Sequence, residues 1–173
     1  EIRDLLPGFD RLLTLGNEQS FEVSPDGRHV AVSIESTPPP YRDFLNADVY
    51  LVPTDGSGQL RNLTAENLGN DSAPVFAPDG KSLVFKRLKG RYYNGEFSKL
   101  WRHDLATGTN TPVTDHLDYA IGNVEFAPDG GTLWITAEDK GAVTIFRLPA
   151  DGSSLTPVHR SGSSGNLRVA GAT

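Results

Sequence analysis

The serines near the C-terminus come closest to the residue pattern of a nucleophilic enzyme. A nucleophile elbow places its serine between two glycines, in the order Gly-x-Ser-x-Gly, so that a sharp turn exposes the hydroxyl. Ser163 has Gly165 after it but a serine two residues before it. Ser164 has Gly162 before it but an asparagine two residues after it. The segment is typical of a Gly/Ser-rich linker, and the sequence assigns no catalytic residue to this chain.

The histidines and acidic residues do not form a metal-binding pattern. The chain has no cysteine, and its four histidines are His29, His103, His116 and His159. No two of them have the i, i+4 helical spacing that brings two imidazoles to one metal. The stretch 115–118 reads Asp-His-Leu-Asp, but it is predicted to connect two repeats. The Asp-Gly pairs are explained by turns. The sequence therefore predicts neither a bound metal nor a cofactor.

Two stretches, residues 35–47 and 88–98, combine aromatic, arginine and acidic side chains. Tyrosine and arginine are enriched at binding hot spots, whereas solvated loops favour Ser, Gly, Asn and Lys. We therefore predict that the two stretches form a rim that contacts a substrate or a partner. The predicted rim residues are Tyr41, Arg42, Asp43, Arg91, Tyr92, Tyr93 and Glu96. The alternative is that the two stretches are solvated insertions, with tyrosines packed onto their own repeat.

The elements that must position these stretches are three copies of one hairpin. In each copy an apolar run is followed by Pro-Asp-Gly and a second apolar run. The turn aspartates Asp26, Asp79 and Asp129 follow one another at intervals of 53 and 50 residues. Proline presets φ, aspartate bonds its own backbone and glycine supplies a positive φ. A hairpin that recurs about every fifty residues indicates a propeller or another repeat array. We expect a positive φ at Gly27, Gly80 and Gly130.

Each repeat contains four apolar runs separated by tight turns, which predicts the four antiparallel strands of a propeller blade. Helical periodicity is not convincing anywhere. The predicted fold class is all-β, a β-propeller fragment of about three four-stranded antiparallel blades. The predicted spans are a lead-in at 1–16, blades at 17–65, 66–114 and 115–160, and the start of a connection to a fourth blade at 161–173.

The lead-in is expected to lay Leu12, Leu13 and Leu15 against the first blade, or to pair as a strand elsewhere in a larger ring. Propellers have roughly 4–8 blades, so three blades are expected to need further blades or self-assembly. The chain starts at Glu1 and has no methionine, from which we expect a piece of a longer protein.

The strand order places the two long stretches relative to each other. In an up-and-down blade, every loop between the second and third strands emerges at the same face, and the Pro-Asp-Gly turns emerge at the opposite face. Residues 35–47 and 88–98 are such loops in the first and second blades, while the third blade has a short turn at 137–142. The predicted rim therefore lies on one face of the propeller, and long loops on a rigid scaffold often carry function.

Composition limits the class of function. The net charge of −6 argues against a nucleic-acid binder, which needs a basic surface. The sequence shows neither an apolar run of membrane-spanning length nor a basic-then-apolar signal peptide at Glu1. Contact with a membrane or with nucleic acid is therefore not predicted.

The repeats resemble the Pro-Asp-Gly propeller repeats of the prolyl oligopeptidase family of serine peptidases and those of the periplasmic Tol-system propeller. The segment Asp48–Pro53, followed by Asn-Leu-Thr at 62–64, is similar to the first blades of the peptidases. The segment 132–152 resembles a blade of the dipeptidyl or acylaminoacyl type. The blades are also longer than those of the Tol type. The similarity covers roughly residues 15–160 and favours the peptidases.

The resemblance implies an N-terminal propeller that caps a C-terminal α/β-hydrolase domain and admits small peptides to a Ser-Asp-His triad. This chain carries no triad, so hydrolase activity would belong to the parent protein. Dipeptidyl peptidases often hold the peptide amino terminus with two adjacent glutamates, and no Glu-Glu pair occurs here. The expected partners are the parent's hydrolase domain and a peptide substrate, with self-assembly as a further expectation. A periplasmic or secreted location is favoured over a cytoplasmic one. The alternative is a non-enzymatic Tol-type propeller that binds protein partners.

Overall fold

The computed structural model describes residues 2, 4–11, 21–40, 46–90, 97–159 and 167–170. These residues form twelve strands and no helix. The strands are β1 (Phe21–Val23), β2 (His29–Glu35), β3 (Ala47–Pro53), β4 (Arg61–Asn62), β5 (Asp71–Phe76), β6 (Ser82–Arg87), β7 (Lys99–Asp104), β8 (Asn110–Pro112), β9 (Ile121–Phe126), β10 (Thr132–Asp139), β11 (Ala142–Pro149) and β12 (Thr156–His159). Within the described ranges, no helix is present that could cross a membrane.

The Pro-Asp-Gly turns close the first hairpin of each sheet. Gly27, Gly80 and Gly130 have φ values of 70°, 67° and 68°, which confirms the predicted positive φ. Each glycine N–H donates to the carbonyl three residues earlier, at 2.8–2.9 Å. The turn aspartates accept hydrogen bonds from the backbone N–H two residues later, at 2.9–3.0 Å. The turn conformation is therefore set by local chemistry, as the sequence indicates.

The twelve strands form three antiparallel four-stranded sheets, in the orders β1-β2-β3-β4, β5-β6-β7-β8 and β9-β10-β11-β12. The first strand of each sheet is innermost, because β1 lies against β5 and β5 lies against β9. The sheets are thus three consecutive blades, and the prediction of an all-β propeller fragment is confirmed. Each sheet lies within one of the predicted blade spans, whose bounds stay predictions.

Apolar side chains fill the space between adjacent blades. The core between the first and second blades consists of Ala31, Val49, Leu51, Leu63, Phe76, Leu83 and Phe85. A larger core between the second and third blades includes Val84, Leu100, Leu133, Ile135, Phe146 and Leu148. Burying one such side chain contributes about 1.5–3 kcal/mol, so these two cores hold the blades in a fixed arrangement.

The segment before β1 packs on the outer face of the first blade, which is the face turned away from the second blade. Leu5, Leu6 and Phe9 contact a cluster formed by Val32, Ile34, Tyr50 and Val52. The predicted contacts of Leu12, Leu13 and Leu15 fall outside the described residues. At the other end of the chain, Arg168 forms an ion pair with Glu125 of β9, so residues 167–170 approach the innermost strand of the third blade.

Candidate functional site

The long-loop face is the end of the blades at which second strands end and third strands begin. β2 and β6 end there, and β3 and β7 start there. The connections between blades, residues 63–70 and 113–120, also lie at this face, because each blade contains an even number of antiparallel strands. The Pro-Asp-Gly turns lie at the opposite face. The long-loop face therefore contains the bases of both long loops and both inter-blade connections.

All seven predicted rim residues lie outside the described residues, and their placement stays a prediction. These residues are Tyr41, Arg42, Asp43, Arg91, Tyr92, Tyr93 and Glu96. The structure does describe the two ends of each loop. It therefore shows how the loops are attached to the blades and to each other.

The base of the first long loop is closed by Glu35 at the end of β2. Its Oε1 atom accepts hydrogen bonds from the backbone N–H groups of Thr37 and Asn46, each at 2.8 Å. The backbone N–H of Ser36 donates to the carbonyl of Asn46 at 2.7 Å. The two ends of the loop are thus held side by side, and the loop leaves the blade from a defined base.

A second polar cluster supports this base from the outer face of the blade. The Asp48 carboxylate accepts hydrogen bonds from Ser36 Oγ at 2.5 Å and from Asn62 Nδ2 at 2.7 Å. Ser36 also lies 2.8 Å from the Tyr50 hydroxyl. Asp48 is buried, and burial raises its pKa. The hydrogen bonds from Ser36 and Asn62 act in the opposite direction and lower the pKa. The cluster fixes Ser36, the first residue of the loop.

Asn70, in the connection between the first two blades, contacts both long loops. Its side-chain Oδ1 accepts a hydrogen bond from the backbone N–H of Ala47, at the end of the first loop, at 2.9 Å. Its backbone carbonyl accepts one from the N–H of Leu88, at the start of the second loop, at 2.8 Å. The ends of two loops that belong to different blades are therefore joined through one residue.

The same connection is in close contact with the start of the second loop. A Cβ atom added at Gly69 would lie 2.2 Å from the carbonyl oxygen of Leu88 and 2.7 Å from that of Gly90. The Nδ2 of Asn67 lies 2.9 Å from the Leu88 oxygen and 3.1 Å from Asp71 Oδ1. Only a residue without a side chain fits between these two backbones, so Gly69 permits the approach.

A buried ion pair between the end of β6 and the start of β5 holds the base of the second loop. Arg87, the last residue of β6, is 4% exposed, and Asp71, the first residue of β5, is 0% exposed. Arg87 Nε lies 2.8 Å from Asp71 Oδ1, and its Nη2 lies 3.0 Å from Oδ2, which makes the pair bidentate. Nη2 also donates to Glu66 Oε1 at 2.9 Å. Burial raises the pKa of Asp71 to about 6, while the Arg87 guanidinium acts in the opposite direction.

Trp101 of β7 extends this cluster toward the surface. Its ring centroid lies 4.5 Å from Arg87 Cζ and 5.1 Å from Lys89 Nζ. Its indole N–H donates to Asp115 Oδ1 at 2.9 Å, and the same carboxylate pairs with Lys89. Cation–π contacts contribute about 0.5–2 kcal/mol, depending on their exposure. The half-buried indole therefore has two cationic neighbours and one acidic neighbour.

The innermost strands carry a further ionisable group. The Glu22 carboxylate of β1 accepts a hydrogen bond from the backbone N–H of Phe76 in β5, at 2.5 Å. Burial raises the pKa of Glu22 to about 7, and nearby Glu125 also favours the protonated form. This carboxyl therefore titrates near neutral pH at the inner edge of the blades.

The described residues contain no group of three or more His, Cys, Asp or Glu side chains placed to hold a metal ion. Asp115, which the sequence places near His116 and Asp118, is instead bonded to Trp101 and Lys89. The serines at 163 and 164 fall outside the described ranges.

The sequence did not single out Asn70, Asp71 or Arg87 as important. One signal was available for Arg87, because the same position in the other two blades holds an isoleucine and an alanine, Ile34 and Ala137. An arginine at a position that is apolar in the other two blades needs an acidic partner if it is buried. The partner itself, 16 residues earlier in the chain, has no local signature.

Comparisons with known proteins give relatives named dipeptidyl-peptidase 5. The chain is 30% identical over 145 residues to dipeptidyl-peptidase 5 of Aspergillus fumigatus, an alignment that covers 79% of this chain and 20% of the relative. It is 32% identical over 131 residues to dipeptidyl-peptidase 5 of Porphyromonas gingivalis, covering 75% of this chain and 19% of that protein. The chain thus spans about a fifth of the length of these relatives. No protein-family model matches the chain.

Solved structures with the same fold include a hydrolase, a peptidase and TolB. A puromycin hydrolase superposes with a TM-score of 0.66 at 19% identity, over 91% of this chain and 25% of that one. An acylaminoacyl peptidase gives a TM-score of 0.57 at 17% identity, over 78% of this chain and 20% of that one. TolB of Acinetobacter baumannii gives a TM-score of 0.59 at 16% identity, over 80% of this chain and 31% of that one. At these identities the likeness shows the fold alone.

The fold and the relatives together define a peptidase-associated β-propeller. The resemblance inferred from the repeats is confirmed: the chain is a propeller fragment of the prolyl oligopeptidase family of peptidases, of the type that includes the dipeptidyl and acylaminoacyl peptidases.

Proposed function

We propose that this propeller gates and positions small peptide substrates for an α/β-hydrolase domain of its parent protein. The observation that carries the proposal is the 30% identity to a dipeptidyl-peptidase over 145 residues. A catalytic constellation is not recognisable in the sequence. The contribution of this chain is therefore access and orientation, and bond cleavage belongs to the hydrolase domain.

The geometry of the long-loop face supports this role. Both long loops rise from bases fixed by buried carboxylates, Glu35 for the first loop and Asp71, through Arg87, for the second. A rigid base with a long tip is the arrangement in which a loop can select ligands without weakening the fold. In sequence, the predicted rim residues belong to the middle of these two loops, and Trp101 lies near the base of the second loop.

The first prediction concerns the rim. In the joined enzyme, changing Arg91 and Tyr92 together to alanine is expected to change kcat/KM for small peptides by roughly 30-fold or more, because hot-spot side chains of these types contribute about 1–2 kcal/mol each and about 1.4 kcal/mol is a factor of ten. The measurement is kcat/KM for a series of peptides of increasing length. The unfolding midpoint is expected to stay close to that of the unchanged enzyme.

The matched control is Asp151→Ala, which removes a side chain that accepts the Ser153 N–H in an exposed turn on the opposite face. It is expected to leave peptide selectivity unchanged. If the double variant has the same kcat/KM as the unchanged enzyme at every peptide length, the two loops are solvated insertions and the rim assignment is wrong.

The likeness to TolB supports a second candidate, a non-enzymatic propeller that binds protein partners. Under this alternative the parent protein cleaves no peptide, and the same double variant weakens the capture of a folded protein partner. A peptidase assay of the parent protein distinguishes the two functions.

A further inference from the structure

We propose that the two long loops are mechanically coupled, and that Asn70 is the positioning residue that couples them. This inference deepens the proposed function, because it assigns the two halves of the rim a joint response to a peptide. It rests on three sets of contacts at the long-loop face. Among the described residues, these contacts attach the connection between the first two blades to the start of the second loop through several atoms, and to the end of the first loop through Asn70 Oδ1.

The connection and the start of the second loop form one unit. Leu88 is bonded through both of its backbone polar groups: its N–H donates to the Asn70 carbonyl at 2.8 Å, and its carbonyl accepts from Asn67 Nδ2 at 2.9 Å. At Gly69 the two backbones approach so closely that a Cβ would lie 2.2 Å from the Leu88 oxygen. The bidentate ion pair between Arg87 and Asp71 also holds this unit. The connection cannot move without the second loop.

The end of the first loop joins this unit through Asn70 Oδ1. Ala47 is the first residue of β3, and its N–H donates to that oxygen at 2.9 Å. Its neighbour Asn46 is bonded to Glu35 within the first blade. A displacement of the first loop therefore reaches the second loop through the Ala47–Asn70 bond. A change in the bonding at the base of the first loop would therefore alter the base of the second loop through the same bond.

The test is amide hydrogen exchange on the full chain, followed in segments 36–46 and 88–98. Asn70→Ala removes the acceptor for Ala47 but keeps the backbone carbonyl that binds Leu88. The loss of one hydrogen bond is expected to raise exchange roughly fivefold in both segments. Asn70→Asp keeps a side-chain oxygen at the same place and is expected to return both segments toward the original rates.

Asp151→Ala is the control, because it removes one backbone-to-side-chain hydrogen bond of the same length, 2.9 Å, at the opposite face. It is expected to change neither segment. Three outcomes would overturn the proposal: a rise confined to 36–46, equal rates in Asn70→Ala and Asn70→Asp, or a rise that extends to β10 and so reports general loosening. The assay contains no peptide, so coupling can be confirmed even if the proposed gating of peptides is wrong.

Discussion

Replacing Arg87 by alanine is expected to lower the free energy of unfolding by about 3–5 kcal/mol, the range measured when one partner of a buried ion pair is removed. Asp71 is 0% exposed and would keep its carboxylate without the bidentate partner that now holds it. Trp101 and Phe85 would also lose the guanidinium, which lies 4.5 Å and 5.1 Å from their ring centroids. Urea unfolding at pH 8 measures the loss.

The loss in Arg87→Ala should depend on pH in a definite direction. The pKa of Asp71 is already raised to about 6 by burial in the presence of Arg87, and removing the cation raises it further. A carboxyl with a raised pKa favours the folded state most when it is protonated. The variant is therefore expected to recover stability as the pH falls from above 6 to about 4, the pKa of the unfolded carboxyl, and to lose it again as the pH rises.

The control for this prediction is Lys89→Ala, which breaks a neighbouring ion pair whose side chains are 54% and 27% exposed. Exposed pairs contribute about 0–1 kcal/mol, so the control is expected to stay within that range. If Arg87→Ala costs no more than Lys89→Ala, the buried network does not anchor the base of the second loop.

Adding one methyl group at Gly69 is expected to lower the free energy of unfolding by about 1–3 kcal/mol, the range found for overpacking in tight interiors. Its neighbours at 2.2 Å and 2.7 Å are carbonyl oxygens of the backbone, at Leu88 and Gly90, so no flexible side chain can move aside. Either the connection or the start of the second loop must shift. The free energy of unfolding, measured in urea, is expected to fall accordingly.

Gly131→Ala is the matched control, because the nearest atom to its added Cβ is Asp129 Oδ1 at 3.8 Å, an ordinary contact. The substitution is expected to change stability by less than about 1 kcal/mol. Equal stability of the Gly69→Ala and Gly131→Ala variants would show that the connection and the second loop do not approach as described.

The blades could be predicted because their signals are local. Pro, Asp and Gly at consecutive positions set the turn that Gly27 shows at φ 70°, and the apolar runs on either side set the strands. Both signals act within about ten residues, so no tertiary information is needed. The number of strands in each blade followed from the same local pattern.

The contacts at the long-loop face could not be predicted in this way, because they join residues that are distant in sequence. Asn70 bonds Ala47, 23 residues earlier, and its side chain is compatible with any turn. The contacts of the lead-in could not be predicted from local sequence either. The structure places Leu5, Leu6 and Phe9 on the first blade, whereas the sequence drew attention to a leucine-rich stretch a few residues later. Which apolar residues reach a surface depends on the path of the chain.

The two long loops are predicted to form one rim on one face of the propeller, and a pair of distances tests this prediction directly. The chain has no cysteine, so two introduced thiols can be spin-labelled without a background. The distance between labels at Tyr41→Cys and Tyr92→Cys is to be compared with the distance from Tyr41→Cys to Asp79→Cys, in the opposite turn. Strands of six or seven residues separate the faces by about 20 Å. We expect the label at 41 to lie nearer to the label at 92 than to the one at 79. If it lies nearer to the label at 79, the two loops are on opposite faces and the rim does not exist.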